Sequence, residues 1–539
     1  MPLSVPHLLR VFLLAVCCTL GSAHATPSAE TLARLADDDS DTRIAAIAEL
    51  GAEGSARSVA LLDALADEAL ALTGAGRLVI LTDTGALDAA SGEAIEPYPD
   101  DADPLMVNNR VRNALQSAKA ATNIRAGDRS TRLAAAQLLR DSASELLMPI
   151  LEPALATEQD KEIRAILALA VARVNLASAE PAKRILAAQR LGDSSDASVK
   201  AMLATLLDKD AKGQFIEPDA EVRAAAKASV QAIERRLAMA DLASTAFTGL
   251  SLGSILLLAA LGLAITYGVM GVINMAHGEL LMVGAYATYV VQGLFRAHLP
   301  EYIDSYVIAA VPVAFLTAAA VGMLMERTVI RWLYGRPLET LLATWGLSLV
   351  LIQTARVIFG PQNVEVANPA WMSGGVSTYA DIVLPWNRLV IIGFAIFVLL
   401  LVWLMMQKTR LGMFVRAVTQ NRAMAGCVGV PTARIDTLAF GIGAGIAGLG
   451  GCALSQVANV GPAMGQGYIV DSFMVVVLGG VGQLAGAVTA AMGLGLMTKI
   501  LEGWAGAVVA KILVLVFIII FIQKRPQGLF ALKGRFVED

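Results

Sequence analysis

Apolar residues form long runs from Gly249 onward, and polar breaks separate the runs. A straight helix needs about 20 apolar residues to cross about 30 Å of hydrocarbon. The runs predict spans at 249–270, 273–294, 306–326, 339–359, 388–407, 435–456, 467–482, 485–501 and 507–523. Two of them, 467–482 and 485–501, are short and joined by a glycine-rich turn, which favours broken or re-entrant helices. The predicted fold here is an all-α, polytopic membrane helix bundle of about eight or nine spans.

The pattern between residues 26 and 240 is that of a soluble helical domain. From Ile163 the apolar positions recur at the 3.6-residue spacing that places them on one face of a helix. A phrase with arginine in a fixed place recurs around Arg43, Arg132, Arg164 and Arg223. The 32-residue distance from Arg132 to Arg164 is typical of paired-helix solenoids and predicts a HEAT-like array. Residues 77–104 break the pattern, which favours a small hairpin or loop insertion.

The beginning of the chain has the pattern of a secretory signal peptide. His7 and Arg10 precede a short apolar run, and Ala23-His24-Ala25 supplies the small residues that cleavage requires. A lipoprotein signal is the weaker alternative, because the bulky Val16 precedes Cys17. We expect three segments: a signal peptide (1–25), a periplasmic helical domain (26–240) and a transmembrane domain (241–539). Residues 26–240 contain no cysteine, which excludes disulfides there.

Composition and charge place most of the function in a membrane. The chain is 56% apolar and 16% charged, whereas soluble proteins carry about 25% charged residues. Residues 1–240 have a net charge of −8 and residues 241–539 one of +4. The segments 327–338, 408–434 and 524–539 hold twelve basic residues, and the alternate segments hold one, Arg296. The positive-inside rule then places the amino end outside and the carboxyl tail in the cytoplasm.

The soluble segment offers little raw material for catalysis. Between residues 26 and 240 there is no histidine and no cysteine, so neither a nucleophile–histidine pair nor a thiolate metal site is predicted. The acidic cluster around Asp39 is either a helix N-cap or a weak calcium site, and it lacks the glycine and distal glutamate of an EF-hand loop. We therefore predict no catalytic residue, no metal and no cofactor.

A glycine-rich run in the sixth span resembles a dinucleotide-binding fingerprint only formally. Gly443, Gly445 and Gly448 have the required spacing, but no strand precedes them and the chain contains no phosphate-loop motif. Small residues at Gly441, Gly445 and Gly448 are instead expected to let two membrane helices approach closely. ATP hydrolysis is therefore expected to take place on another protein.

Polar side chains inside the spans are the candidates for a transport pathway. Asn274, His277 and Glu279 interrupt an otherwise uncharged stretch, and ionisable groups at membrane depth are usually functional. The alternative is that Asn274 caps the second span and Glu279 lies near its positive dipole end. Further polar candidates, which either line a pathway or bond neighbouring helices, are Thr344, Trp345, Gln456 and Asn459. One other deep charge, Lys511, has Glu502 as its expected partner.

The segment 410–430 is the most informative loop. Its apolar positions predict one or two short amphipathic helices that end at Gly429. That shape suits insertion into a groove on a soluble partner. The residues that we expect to form this coupling loop are Arg416, Ala417, Gln420, Asn421, Ala425 and Gly429.

These motifs resemble a known family. The coupling-loop residues, together with Asn274-Met-Ala-His277-Gly-Glu279, are similar to those of ABC permeases of the branched-chain amino acid type. Longer stretches at 341–349, 359–375 and 471–483 and the tail at 524–530 narrow the resemblance to urea ABC transporter permeases, the larger of two membrane subunits. The resemblance covers residues 249–535. It implies urea as the substrate, with branched-chain amino acids or short amides as the alternative.

The resemblance also implies partners: a second permease subunit, two ATP-binding subunits and a periplasmic substrate-binding protein, in the lipid bilayer of the bacterial inner membrane. No nucleic acid is expected. Two other classes of function stay open on the residues alone. A membrane-anchored scaffold needs neither intramembrane polar groups nor a coupling loop, and an intramembrane enzyme has only His277 and Glu279 as an acid–base pair.

Overall fold

The computed structural model describes residues 27–82, 85–96, 99, 101–377 and 383–530, and most of these residues are helical. The predicted signal peptide, residues 1–25, lies outside the described residues. The chain divides after Leu237 into two compact units, close to the predicted boundary at residue 240.

The amino-terminal unit is built from short helices that follow one another along the chain. Their bounds are α1 Ala29–Ala36, α2 Ser40–Glu53, α3 Ala56–Ala66, α4 Asn109–Asn123, α5 Arg129–Ser142, α6 Met148–Thr157, α7 Lys161–Asn175, α8 Pro181–Leu191 and α9 Ala197–Thr205. The first part of the next helix, α10 (Ala220–Met270), also belongs to this unit, as far as Leu237. The HEAT-like interpretation of this array stays a prediction.

A small antiparallel sheet interrupts these helices, so the expectation of an all-α chain is wrong at this point. Its strands are β1 Leu70–Leu72, β2 Leu78–Thr82, β3 Gly85–Asp88, β4 Ala94–Ile95 and β5 Asp103–Pro104, in the order β4-β3-β2-β1-β5. In register, Leu70 pairs with Ile80 and Leu81 with Ala86. The apolar run at 78–81 favours a strand because one face packs on the helices, and the predicted hairpin insertion at 77–104 corresponds to this sheet.

Aspartate side chains cap the beginnings of several helices in this unit. Asp39 accepts from Thr42 N at 2.9 Å, which confirms the N-cap interpretation of the acidic cluster. At α5, Asp128 accepts hydrogen bonds from the Ser130 hydroxyl and from the Thr131 amide and hydroxyl, and these bonds lower the pKa of Asp128 to about 2.

The recurring arginine occupies the fourth position of its helix, and at Arg43, Arg132 and Arg223 it bonds the loop before that helix. Arg132 donates to the carbonyls of Ala126 and Gly127 at 3.0 Å. Arg43, Arg184 and Arg223 make equivalent bonds to loop carbonyls. At these four positions the arginine therefore fixes the preceding loop to the helix that follows it.

The second unit contains the apolar helices. They are the remainder of α10, then α11 His277–His298, α12 Tyr306–Thr328, α13 Pro337–Phe359, α14 Trp386–Lys408, α15 Arg410–Gln420, α16 Arg422–Cys427, α17 Thr432–Ser455, α18 Met464–Gly479, α19 Leu484–Ala505 and α20 Ala507–Lys524. A two-stranded antiparallel ribbon, β6 Gly375–Ser377 and β7 Val383–Pro385, precedes α14.

The helices agree with the predicted spans, with three corrections. The first predicted span, 249–270, is the carboxyl-terminal part of α10, which begins at Ala220. Eight helices among the described residues are long and apolar enough to cross a membrane, and the shorter apolar helix α18 has 16 residues. The predicted span at 273–294 begins only at His277, because residues 271–276 are not helical and Gly271 has a φ of +66°. The predicted short span at 485–501 is a 22-residue helix, α19, so of the two short spans only α18 remains short.

Helix α17 lies at the centre of the second unit. Of the most apolar 18-residue stretch of each helix, 89% is buried in α17 but only 22% in α13 and 17% in α20. Glycines permit this burial: a Cβ at Gly451 would lie 1.9 Å from the carbonyl oxygen of Leu281, and one at Gly284 would lie 2.1 Å from that of Gly448. Backbone therefore packs directly on backbone where α11 crosses α17.

The segment after α20 returns to the end of α18. The amide of Leu529 donates to the carbonyl of Leu478 at 2.8 Å, and that of Phe530 donates to the carbonyl of Gly479 at 3.3 Å. Gly480 has a φ of +97°, and a Cβ there would lie 2.4 Å from the carbonyl oxygen of Phe530. This close approach requires glycine.

Candidate functional site

The beginning of α11 carries the first predicted pathway residues, and all of them are buried. Asn274 is 1% exposed and His277 is 0% exposed. The Oδ1 atom of Asn274 accepts from Ala276 N at 3.0 Å, in the turn just before the helix, and α11 itself has no side-chain N-cap bond. The Nε2 atom of His277 lies 3.0 Å from the carbonyl oxygen of Ala259 in α10.

Glu279 lies where α11, α13 and α18 meet. Its Oε1 atom accepts a hydrogen bond of 2.6 Å from the hydroxyl of Ser348 in α13. Its Oε2 atom lies beside Gly465 at the start of α18, so closely that a Cβ on that glycine would approach to 2.5 Å. Glu279 is therefore in the first turn of one helix and next to the first turn of another, and both positive dipole ends favour a carboxylate there.

Three buried polar atoms in this region have no hydrogen-bond partner among the described residues: Asn274 Nδ2, His277 Nδ1 and Glu279 Oε2. A buried polar atom without a partner is costly, and in a native protein each such atom needs an explanation. The three atoms are a donor on Asn274 and two acceptors, since the Nε2 atom of a neutral His277 donates to the carbonyl of Ala259 and leaves Nδ1 as an acceptor. His277 faces α10 whereas Glu279 faces α13 and α18, since residues two apart on a helix do not face each other, so each of the three atoms is a separate candidate for contact with a polar solute.

Thr344 and Trp345 have different environments. Thr344 is fully buried, and its hydroxyl accepts from Met275 N at 3.2 Å, so it joins the group at the start of α11. Trp345 is 50% exposed in this chain. The structure therefore does not bring Trp345 together with Asn274, His277 and Glu279, because adjacent residues of a helix face different directions.

Gln456 and Asn459 lie apart from that group. Gln456 is buried beyond the end of α17 and accepts from the hydroxyl of Tyr306 at 3.1 Å. The same hydroxyl lies 2.8 Å from the carbonyl oxygen of Ala367, to which Gln292 also donates at 2.8 Å. Gln456 is thus part of a polar cluster that fixes the 360–370 loop, and Asn459 is exposed.

The predicted coupling loop forms two short helices, α15 and α16, separated at Asn421. Asn421 caps α16 by accepting from Met424 N at 2.9 Å, and Gly429 follows with a φ of +88°. The exposed residues of the predicted set are Arg416, Gln420, Asn421 and Gly429, and Ala417 is half-buried. Ala425, which we expected on the docking surface of the loop, is only 4% exposed and packs into the core of this unit. That part of the prediction is wrong.

A network of charged and polar residues joins this loop to α12 and α17. The guanidinium of Arg422 bonds both carboxylate oxygens of Asp436, which is fully buried. The same guanidinium lies over the ring of Tyr334, 4.9 Å from its centroid. The hydroxyls of Tyr334 and Thr437 donate to the two carboxylate oxygens of the buried Glu326, at 3.0 and 2.7 Å.

Burial, reinforced by the two neighbouring carboxylates, raises the pKa of Tyr334 above its usual range. The phenol therefore keeps its proton and acts as a donor to Glu326. These five residues, Glu326, Tyr334, Arg422, Asp436 and Thr437, are called the loop-anchor network below.

A second group of charges lines a cavity of about 250 Å³ between α10, α18, α19 and α20. Here Lys511 Nζ lies 4.0 Å from Asp471 Oδ2, and Lys499 bonds Glu502 at 2.7 Å. The expected pair of Lys511 with Glu502 is therefore wrong, because Lys499 lies one helical turn before Glu502 and is its partner.

The glycines predicted to serve helix packing face α12. A Cβ at Gly441 would lie 2.7 Å from the side chain of Met323, one at Gly445 would lie 2.5 Å from the ring of Phe315, and one at Gly448 would lie 2.5 Å from Ala318. The run is in the middle of a membrane helix rather than after a strand, and its neighbours leave no room for a nucleotide. Among the described residues, no group of histidine, cysteine, aspartate and glutamate is arranged to hold a metal ion.

The apolar helices of the second unit are compatible with a polytopic membrane permease. The model of the branched-chain amino acid transport system permease component family matches residues 245–522. The chain belongs to this family and is an ABC importer permease. Permeases of this kind are transport components rather than enzymes.

Individual relatives agree with this assignment. The high-affinity branched-chain amino acid transport system permease protein BraD of Pseudomonas aeruginosa is 28% identical over 287 residues, which cover 52% of this chain and 93% of BraD. The protein LivH of Escherichia coli is 27% identical over 292 residues, with coverage of 52% and 93%. A probable branched-chain amino acid transport permease of Methanocaldococcus jannaschii is 23% identical, with coverage of 51% and 88%.

The sequence alone did not point to several residues of these sites. Ser348 lies one helical turn after Thr344, so the i, i+4 rule was a usable signal for it. The partners in the loop-anchor network lie up to 111 residues apart in the chain, and nothing local in the sequence identifies them.

Proposed function

We propose that this chain is the membrane-spanning subunit through which urea crosses the bacterial inner membrane. The observation that carries the proposal is the set of unpaired buried atoms on Asn274, His277 and Glu279. Urea has one acceptor and four donor hydrogens and no charge, so it suits a pathway of amides, hydroxyls and a carboxylate. No lysine or arginine belongs to this group among the described residues, so a substrate carboxylate has no cation to pair with there.

The second candidate substrate is a branched-chain amino acid. The relatives above carry that substrate in their names, which supports it at least as strongly as urea. An amino acid has both charges, and the described residues offer opposite charges around the cavity of Asp471 and Lys511 rather than around Glu279. The two substrates therefore favour different routes through the same unit, and short amides are grouped with urea.

The proposed partners are a second permease subunit, two ATP-binding subunits and a periplasmic substrate-binding protein. Three features support this assembly: the family, the lack of a phosphate loop in the sequence, and the two amphipathic helices of the 410–429 loop. We propose that the loop docks on an ATP-binding subunit through its exposed apolar side chains. Those side chains are Met413, Met424 and Val428, which are 53%, 60% and 74% exposed.

In the proposed orientation the amino-terminal unit is periplasmic and the carboxyl terminus is cytoplasmic. The twelve basic residues on one side of the spans against one on the other support this assignment. It places residues 410–429 on the side where ATP is hydrolysed.

The test is uptake by the complete complex in proteoliposomes, with labelled urea and labelled leucine supplied in parallel. We expect ATP-dependent uptake of labelled urea. Unlabelled acetamide should compete with this uptake, and unlabelled leucine should not. A complex without the ATP-binding subunits is the control and should accumulate neither solute. Uptake of leucine alone would establish the second candidate and reject urea.

The role of Glu279 is tested in the same vesicles with Glu279→Gln. The amide keeps the shape and can still accept from Ser348, but it removes the charge. If Glu279 contacts the solute, uptake falls while folding and basal ATP hydrolysis stay normal. If Glu279 only serves the helix ends, thermal stability falls and uptake falls in proportion.

A further inference from the structure

The loop-anchor network connects the proposed docking loop to the centre of the membrane unit. Arg422 is the first residue of α16, and its bidentate bond to Asp436 reaches into the first turns of α17. A guanidinium that grips a carboxylate with two parallel bonds fixes orientation as well as distance. Helix α16 is therefore tied to α17 in a defined geometry.

The network also includes α12. The stacking of Arg422 on Tyr334 and the two bonds to Glu326 place α12, α16 and α17 around one set of charges. Glu326 and Asp436 are 1% and 0% exposed, so a change at Arg422 leaves a buried carboxylate without its partner. An arrangement of this kind adopts discrete states more readily than it deforms gradually.

The far end of α17 leads back to the candidate pathway. Helix α17 packs backbone to backbone on α11 at Gly284 and Gly448, and α11 begins with His277 and Glu279. Side chains that are long and flexible would absorb a displacement between the two helices, but these contacts are made by glycines. A displacement of α17 therefore reaches α11.

We propose that the Arg422–Asp436 pair transmits movement of the docking loop to α17 and α11, and so couples ATP hydrolysis to opening of the pathway. Arg422 acts as a positioning residue that touches no substrate. The inference rests on the proposed docking role of the 410–429 loop. It predicts that the pair can be weakened with the complex still assembled and still hydrolysing ATP.

Two native cysteines can be used to detect movement on the two sides of the Arg422–Asp436 pair. Cys427 is exposed on α16, and Cys452 is 2% exposed in α17. In the wild-type complex, binding of a non-hydrolysable ATP analogue should change the alkylation rate of both cysteines, measured separately by peptide mass spectrometry. In Arg422→Gln the change at Cys427 should persist and the change at Cys452 should be lost.

The second measurement is the ratio of solute taken up to ATP hydrolysed, with whichever labelled solute the wild type transports. We expect this ratio to fall about tenfold in Arg422→Gln. Arg422→Lys should lie between, since a lysine supplies the charge without the two-pronged geometry. Arg434→Gln removes an exposed charge two residues before Asp436 and should match the wild type.

A double-mutant cycle with Asp436→Asn separates coupling from a merely structural role. The double variant should retain more uptake per ATP than the product of the two single effects, because neither charge is left alone. Multiplicative effects, or a parallel loss of complex assembly, ATP hydrolysis and uptake, would overturn the proposal. So would an unchanged Cys452 response in Arg422→Gln. The cysteine measurement needs no transported solute, so a wrong substrate in the proposed function does not affect it.

Discussion

Replacing Gly284 by alanine tests the backbone contact between α11 and α17. A Cβ at this position would lie 2.1 Å from the carbonyl oxygen of Gly448 and 2.4 Å from its Cα. Because non-bonded heavy atoms pack at about 3.5 Å, the helices would have to separate by roughly 1 Å. Helix α17 has no free space on its other side, where a Cβ at Gly448 would itself lie 2.6 Å from the carbonyl oxygen of Ala314.

The expected destabilisation is at the upper end of the range for overpacking, about 3 kcal/mol. A matched control is Gly293→Ala, on the same helix, where a Cβ would meet nothing within 4 Å. Both variants gain about 1 kcal/mol of helix propensity from the exchange of glycine for alanine. The difference in stability between the two variants therefore isolates the cost of the contact.

The measurement is thermal unfolding of the full chain in detergent. Unfolding is detected by the alkylation of Cys452, which is buried in α17 in the folded protein. At about 2 °C per kcal/mol for a large unit, Gly284→Ala should unfold at least about 6 °C below Gly293→Ala. If the two variants melt within about 1 °C of each other, the helices do not pack backbone to backbone and the argument is wrong.

Three further predictions follow from other parts of the molecule. Glu279→Gln should lower uptake while basal ATP hydrolysis and melting temperature stay unchanged, and a variant that alters neither uptake nor stability would contradict both roles considered for this carboxylate. Residues 26–240, expressed alone, should be soluble, helical and indifferent to chelators and reductants. In that piece the pKa of Asp128 is lowered to about 2, so its carboxylate stabilises the fold above pH ~4 and loses this effect as the pH falls towards 2. The melting temperatures of the unchanged piece and of its Asp128→Asn variant should therefore differ above pH ~4 and converge as the pH falls towards 2. Met424→Glu should block docking of the ATP-binding subunit in a pull-down while the chain stays folded. Ala425→Glu should instead unfold the loop, because Ala425 is buried. Normal docking of the Met424→Glu variant would show that the exposed apolar side chains of the loop are not the docking surface.

The local sequence pattern was sufficient to predict most of the membrane helices, but not the side-chain contacts between them. Apolar runs predicted the spans to within a few residues, because a bilayer imposes a minimum length on each helix. The exceptions were α10, whose helix begins at Ala220 rather than near Gly249, and the start of α11, where Val272 and Ile273 are apolar but not helical. Hydropathy does not distinguish an apolar loop from an apolar helix.

Only part of the candidate site could be predicted from the sequence. Intramembrane polarity singled out Asn274, His277 and Glu279, but it treated Thr344 and Trp345 alike, although only Thr344 faces the group. The bond from Ser348 to Glu279 and the pair of Arg422 with Asp436 depend on how distant helices pack. Side-chain direction and long-range pairing are properties of the tertiary structure that single-sequence patterns do not contain.

The return of residues 525–530 to α18 has a consequence for how the protein is made. Helix α18 is about 24 Å long, less than the thickness of the hydrocarbon core, so carbonyls at its end that lie at membrane depth need partners. Leu529 and Phe530 supply two of them. Because these residues are synthesised about fifty positions after Gly479, a nascent chain inserted span by span has an unfinished helix end until residues 529 and 530 are translated. A variant truncated after Lys524 would lack the two amide donors that the carbonyls of Leu478 and Gly479 use here.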